Sequence, residues 1–205
     1  MFITGPGGQP ERPGPPGPRG PAGAAGPVRL YRAGRRVFAE TSTLALDPEL
    51  RIFIADMVGP YGVPLREDLL RTGSGHTYAQ MAEALLPDVL AAGEPVDLLV
   101  LAFAIHDIRI GQTTAVYLSS ICPGDPLAFA ICDQGSAAAF TGLRLISEYA
   151  STGDCRRALL VVAEQSALHY QPAPVPGPPA PIPDRHAAVA LLLDTAGTGA
   201  ELTGV

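Results

Sequence analysis

Apolar runs of strand length alternate with helical spacing through the second half of the chain. Four of these runs predict strands, at 97–104, 127–132, 157–163 and 187–194. Between them, helices are predicted at 112–121 and 136–150. This alternation predicts an α/β fold, a mixed β-sheet with helices on both faces. Because no helix is predicted between the last two strands, we expect them to pair antiparallel.

The pattern before residue 96 is less regular. RIFIADM, at 51–57, predicts a further strand, and 78–92 predicts a helix. Thr77 and Gln80 have the spacing of a capping box at its start. Pro87 is expected to kink or split this helix. The apolar positions of the helix recur with helical spacing at Met81, Leu85 and Val89.

Two segments are rich in glycine and proline. Residues 1–27 hold eight glycines and eight prolines, with glycine at every third position from Gly14 to Gly26. This number of triplets is too small for a stable triple helix. We therefore predict a flexible arm. Residues 171–183 predict a stiff surface loop of polyproline character, with a ligand for a proline-recognition domain as the alternative.

Composition narrows the function classes. The formal net charge is −6 and all 14 basic residues are arginine, so the chain lacks the basic stripe of a nucleic-acid-binding protein. No apolar run reaches the length of a membrane span, and no secretory signal is recognisable, so we expect a cytoplasmic protein. Cys122, Cys132 and Cys155 are too scattered for a zinc site and are expected to be free. We expect neither a metal nor a resident cofactor.

The stretch LAFAICDQGSAAAFTGLRLI, residues 127–146, is the most informative about chemistry. A predicted strand ends at Cys132, a short turn follows, and a helix opens at Ser136. A helix amino terminus favours developing negative charge, and ligands of open α/β sheets gather at the carboxyl ends of strands. Ser136 is therefore a candidate nucleophile, and a simple N-cap is the alternative. Cys132 is expected to point into the core.

The order of these segments resembles a known family. The strand at 97–104, the helix at 112–121, the strand and turn at 127–135 and the strand at 156–164 find counterparts in thiolase-superfamily ketosynthases. An altered glycine-rich turn at 183–189 follows them. The likeness is to the N-terminal half of β-ketoacyl-acyl-carrier-protein synthase III.

The resemblance implies a thiolase-like fold, N-terminal half, over residues 28–205. It also places Ser136 where the family has its nucleophilic cysteine. The C-terminal half, which supplies the general-base histidine of the family, has no counterpart in residues 195–205. A serine hydroxyl needs an adjacent base. His106, at the carboxyl end of a predicted strand, and His186, on the altered turn, are the candidate bases; His76 is expected to be exposed.

The resemblance implies one function and leaves two alternatives. The first is a ketosynthase III-like acyltransferase subunit of polyketide or fatty-acid-type metabolism. It would take an acyl group from an acyl carrier protein or coenzyme A thioester, completed by a partner subunit with the missing half or by homo-oligomer formation. The alternatives are a non-catalytic scaffold resembling a chain-length factor, and a stand-alone domain that binds acyl thioesters without turnover.

Overall fold

One mixed β-sheet forms the centre of the molecule. The computed structural model describes residues 26–39, 41–109, 111–172 and 182–204. Its strands are β1 (Arg29–Val37), β2 (Leu98–Ala102), β3 (Leu127–Ile131), β4 (Arg157–Glu164), β5 (Ala187–Asp194) and β6 (Ala200–Glu201). They lie in the order β3-β2-β4-β5-β1-β6. β3, β2 and β4 are parallel, whereas β5 is antiparallel to both β4 and β1. The predicted mixed sheet and its antiparallel last pair are confirmed.

Helices cover both faces of the sheet, as predicted. They are α1 (Pro48–Val58), α2 (Glu67–Thr72), α3 (Tyr78–Val89), α4 (Thr114–Ile121) and α5 (Ala137–Ser151), with 3-10 turns at Thr43–Leu46 and Gly59–Tyr61. α3 and α4 share one core with the sheet, and α5 packs on the opposite face. α1 and α2 form a separate small core beyond the carboxyl ends of the parallel strands, beside Ile108 and Tyr170.

The strand predicted at 51–57 is wrong, because these residues belong to α1. Asp47 caps this helix by accepting a hydrogen bond from the Glu49 amide at 3.0 Å, and Pro48 occupies its first turn. Ile54 is buried, but burial does not alternate from one residue to the next around it as it would in a strand. The pattern of burial fits the period of a helix instead. The run of β-branched and aromatic residues thus concealed a capped helix.

β1 was not predicted, because four arginines interrupt its sequence RLYRAGRRV. The structure explains how a strand accommodates them. Arg32 pairs with Glu94 at 2.7 Å and Arg36 pairs with Asp88 at 3.1 Å. Asp88 belongs to α3 and Glu94 to the turn after it, so both guanidinium groups are held by the helix layer on that face of the sheet.

α3 begins as predicted, with the Thr77–Gln80 capping box. The Gln80 amide donates to the Thr77 hydroxyl at 3.1 Å, and the Thr77 amide donates to the Gln80 side chain at 3.0 Å. Pro87 does not split the helix, which continues to Val89. The helix is therefore not interrupted at the position where a kink or break is expected.

One part of the sheet remains uncovered by the described helices. α5 packs over β2, β3 and β4 but does not reach β5 and β1. On that side, Val189 of β5 is 37% exposed and Val37 of β1 is 60% exposed. Two strands span about 10 Å, which is the diameter of one helix. We call this surface, formed by β5 and β1 beside α5, the open face.

The arm predicted at 1–27 lies outside the described residues except for its last two, and so does most of the loop predicted at 171–183. Within the described ranges, no helix is long and apolar enough to cross a membrane.

Candidate functional site

The turn between β3 and α5 brings Ser136 to the carboxyl edge of the sheet. Asp133 and Gly135 have φ angles of 61° and 53°, the left-handed conformations that reverse the chain. The Ala137 amide donates to the Gln134 carbonyl at 3.1 Å. The Thr141 hydroxyl donates to the Gln134 side-chain oxygen Oε1 at 2.5 Å. These contacts fix the turn against the first two turns of the helix.

Ser136 is exposed and occupies the cap position of α5 with φ −63° and ψ −13°. Its side chain makes no capping hydrogen bond, so the hydroxyl does not serve the helix as an N-cap. The amides of Ala137 and Ala138 donate to the Gln134 and Gly135 carbonyls, so a negative charge at this end is favoured by the dipole of the 15-residue helix. Gln134, Gly135 and Ala137 beside it are exposed too, so the hydroxyl lies on the surface of the described chain.

The thiols near this site do not replace the serine. Cys132 lies just after β3, half-buried, and its Sγ donates to an Asp133 carboxylate oxygen at 3.4 Å; the expected orientation into the core is wrong. Burial and the Asp133 carboxylate raise the pKa of Cys132, which disfavours the thiolate. Cys122 and Cys155 are free and buried, and burial raises their pKa values to about 11 and about 12.

His106 lies beside the turn that leads to Ser136. Its imidazole Nε2 is 3.8 Å from an Asp133 carboxylate oxygen, and its ring meets the Phe103 ring edge-on at 6.3 Å. The side chain is exposed. Of the two candidate bases, His106 is the one that the structure places next to the β3–α5 turn.

His186 lies at the same edge of the sheet, at the amino end of β5. β2 and β4 separate this strand from β3, so three strand spacings of about 4.8 Å place His186 roughly 14 Å from the Ser136 turn. Its ring is 1% exposed, and Nδ1 accepts from the Ser166 amide at 3.2 Å. In the neutral form Nε2 then carries the proton and donates toward the Ser166 hydroxyl, 3.4 Å away. His186 therefore contacts both the backbone amide and the hydroxyl of Ser166 and holds this residue in place.

The remaining histidines support the loop before α3. His76 is half-buried between Phe38 and His186, with ring centroids 5.6 Å from each, so the exposure expected for it is wrong. Its Nδ1 is buried without a hydrogen-bond partner, and burial lowers its pKa. His169 contacts the Ser74 carbonyl oxygen through Nε2 at 2.7 Å. Burial lowers the pKa of His169, so both rings favour the neutral form.

Two residues that sequence reasoning missed hold the loop carrying His106. Glu164, the last residue of β4, accepts hydrogen bonds from the Ala104 amide at 2.6 Å and the Ile105 amide at 3.2 Å. The Gln165 side-chain amide donates to the His106 carbonyl at 2.7 Å. A carboxylate at the end of an otherwise apolar strand was the signal available in the sequence. Burial raises the pKa of Glu164.

A cavity of about 280 Å³ opens beside this loop, between β2, β3 and the start of α4. Phe103, Phe129 and Tyr78 give it an apolar lining, and His106 and Thr114 add polar groups. Asp107 closes one side, buried and accepting from the Tyr78 amide at 3.1 Å and the Thr114 hydroxyl at 3.0 Å. Burial raises the pKa of Asp107. Among the described side chains, no group of three metal-ligating residues is placed to hold an ion.

Comparison with known proteins gives the fold. No protein-family model matches the sequence, and no curated protein matches it. The solved structure of ChlB3, an acyltransferase, is similar with a TM-score of 0.51 and 20% identity, over 83% of this chain and 51% of that chain. An HMG synthase of the curacin biosynthetic pathway is similar with a TM-score of 0.50 and 16% identity, over 83% of this chain and 40% of that chain.

The chain therefore spans about half the length of these thiolase-superfamily structures or less. At such identities the likeness carries the architecture alone. With the observed sheet order and helices on both faces, it shows that this chain has an α/β thiolase-like fold.

Proposed function

We propose that the chain is an acyltransferase subunit in which Ser136 takes an acyl group from an acyl carrier protein or coenzyme A thioester. The observation that carries the proposal is the uncapped, exposed Ser136 hydroxyl at the amino end of α5. A likeness in fold to an acyltransferase, ChlB3, supports the reaction class. The resemblance described from the sequence, which aligns Ser136 with the nucleophilic cysteine of the ketosynthases, also supports the proposal.

The proposed step is a transesterification. The Ser136 oxygen attacks the thioester carbonyl, a C–O bond forms, and the C–S bond breaks. The hydroxyl proton leaves through a base and goes to the departing thiolate, so atoms and charge balance. The positive end of the α5 dipole favours the negative charge of the oxyanion, an effect worth about 0.3–1 kcal/mol at an exposed helix end.

His106 is the base that this chain itself offers. Its ring is exposed and lies against Asp133, three residues before Ser136. The Asp133 carboxylate oxygen is 3.8 Å from Nε2, beyond hydrogen-bond distance, so this contact alone does not fix the ring. His186 is buried at the far side of the sheet edge and engaged with Ser166, so we assign it a structural role.

We further propose that a partner subunit covers the open face and completes the site. Val189 and Val37 are exposed there, and Phe140 on the neighbouring α5 is 66% exposed. Exposed large apolar side chains on one side of a molecule are typical of protein interfaces. The width of the open face matches one helix, so we expect a helix of the partner to lie beside α5. A partner carrying the C-terminal half of a thiolase-like fold has the appropriate architecture.

The test is intact-protein mass spectrometry after incubation with short acyl-CoA and acyl carrier protein thioesters, with and without the co-expressed partner. We expect one added acyl mass on the wild-type chain and none on Ser136→Ala. Ser151→Ala, at the other end of α5, is the matched control and is expected to label normally. Equal labelling of Ser136→Ala, or no labelling of any variant, contradicts the acyltransferase proposal.

A scaffold role is the second candidate, and a specific observation favours it. Among the described contacts, no base makes a hydrogen bond with the Ser136 hydroxyl. A subunit of this kind would shape the site of a partner ketosynthase through the open face. If the partner's activity depends on this chain and is unchanged by Ser136→Ala, the scaffold role replaces the catalytic one.

A further inference from the structure

We propose that Glu164 and Gln165 are positioning residues that set the location of His106 beside the turn preceding Ser136. The proposal deepens the acyltransferase function and rests on it for its catalytic consequence. Its structural part is independent of that function. Both residues stand at the carboxyl end of β4, next to β2 in the sheet.

The backbone of residues 104–106 has left the sheet, since β2 ends at Ala102. Its polar groups are held by side chains instead of a strand ladder. The Glu164 carboxylate accepts hydrogen bonds from the amides of Ala104 and Ile105, and the Gln165 side-chain amide donates to the carbonyl of His106. The Tyr78 hydroxyl donates to the carbonyl of Ile105.

The chemistry of these contacts requires the residue types that are present. A carboxylate only accepts, so it matches two amide donors at once, whereas a primary amide in its place would turn N–H groups toward N–H groups. Gln165 supplies the donor that the His106 carbonyl needs. Its own Oε1 is buried without a hydrogen-bond partner, so the described hydrogen bond of this side chain is made through its donor end.

The location of the His106 ring follows from this backbone. The ring is exposed and its described contacts are the edge of Phe103 and the Asp133 carboxylate. Neither contact is strong enough to fix an exposed side chain, because exposed ion pairs contribute little. Glu164 and Gln165 therefore determine where the candidate base, His106, lies relative to Ser136.

Amide hydrogen exchange by NMR tests the structural part on Glu164→Gln and Gln165→Leu. We expect exchange at Ala104 and Ile105 to accelerate at least about tenfold in Glu164→Gln, because a charge-assisted acceptor is lost. The nuclear Overhauser contact between the His106 and Phe103 rings should weaken in both variants. Glu148→Gln, on the exposed side of α5, is the matched control and should leave both readouts unchanged.

Labelling kinetics test the catalytic part. In both variants the acylation rate of Ser136 should fall while the thioester concentration giving half-maximal rate stays constant, as expected for a misplaced base. Glu164→Asp, which keeps the carboxylate, should recover part of the rate. Unchanged exchange and ring contact in Glu164→Gln overturn the inference even if Ser136 labels. If no chain labels, the acyltransferase proposal fails and the exchange result still decides the positioning of His106.

Discussion

Replacing Gly142 by alanine is expected to push α5 away from the sheet. This glycine lies in the buried face of the helix, over β2 and β4. A Cβ atom at its position would lie 2.9 Å from a Leu160 methyl carbon and 3.4 Å from a Val100 methyl carbon. Both neighbours are fully buried, so they have little room to move. The missing side chain thus sets how closely α5, and with it Ser136, approaches the sheet.

Two opposed effects decide the magnitude. Forcing an extra methyl into a packed core costs about 1–3 kcal/mol. Alanine in a helix interior gains about 1 kcal/mol over glycine. The steric cost acts at a contact shorter than real Cβ atoms adopt, so we expect it to prevail. The net free energy of unfolding should fall by about 1 kcal/mol.

Urea denaturation followed by circular dichroism measures this change. Gly197→Ala is the matched control, because its backbone is not left-handed and a Cβ atom there lies no closer than 3.6 Å to its nearest neighbour, the Tyr31 ring. The control should be neutral or slightly stabilising. Adding Leu160→Val, which trims the contacting side chain, should remove part of the penalty of Gly142→Ala. A gain of stability in Gly142→Ala equal to that of the control would refute the close packing of α5.

Three further outcomes are expected. Thr77→Ala should lower the free energy of unfolding by about 1 kcal/mol in urea titration, because it removes the capping box of α3. His169 titrates below its ordinary pKa because it is buried, so the unfolded chain binds more protons. Stability should therefore fall as the pH drops below about 6.5, by at most about 1.4 kcal/mol per pH unit for this group, and His169→Gln should flatten the slope. Val189→Glu should weaken co-purification of the partner without lowering the urea midpoint, since this side chain lies on the open face.

The central strands were predictable because burial on both faces leaves an apolar signature. β2 and β4 are such strands, and their sequences contain few alternatives to sheet formation. β1 was not predictable from its own sequence, since its arginines find their partners near α3, more than fifty residues away. α1 was mistaken for a strand because Ile52 and Phe53, both exposed, add β-propensity without taking part in the core.

The candidate site, like the fold, has one part that the sequence indicates and one part that it does not. The strand–turn–helix pattern around Ser136 is local, so the sequence indicates it. The loop carrying His106 depends on hydrogen bonds from Glu164 and Gln165, about sixty residues further along the chain. His186 lies on the altered turn and is a candidate base from the sequence, yet its ring contacts Ser166 through both nitrogens. Contacts between distant segments assign these roles, and a single sequence does not reveal them.

The most direct test of the central claim is to locate the acyl group. Trypsin cleaves after Arg109 and Arg144, so residues 110–144 form one peptide that contains both Ser136 and Cys132. Tandem mass spectrometry of this peptide, after incubation with an acyl thioester and the partner, distinguishes the two positions. We predict an acyl mass on Ser136 that survives neutral hydroxylamine, as an oxygen ester does. An adduct on Cys132 that hydroxylamine removes, or a peptide without any adduct, would contradict the assignment of Ser136 as the acyl acceptor.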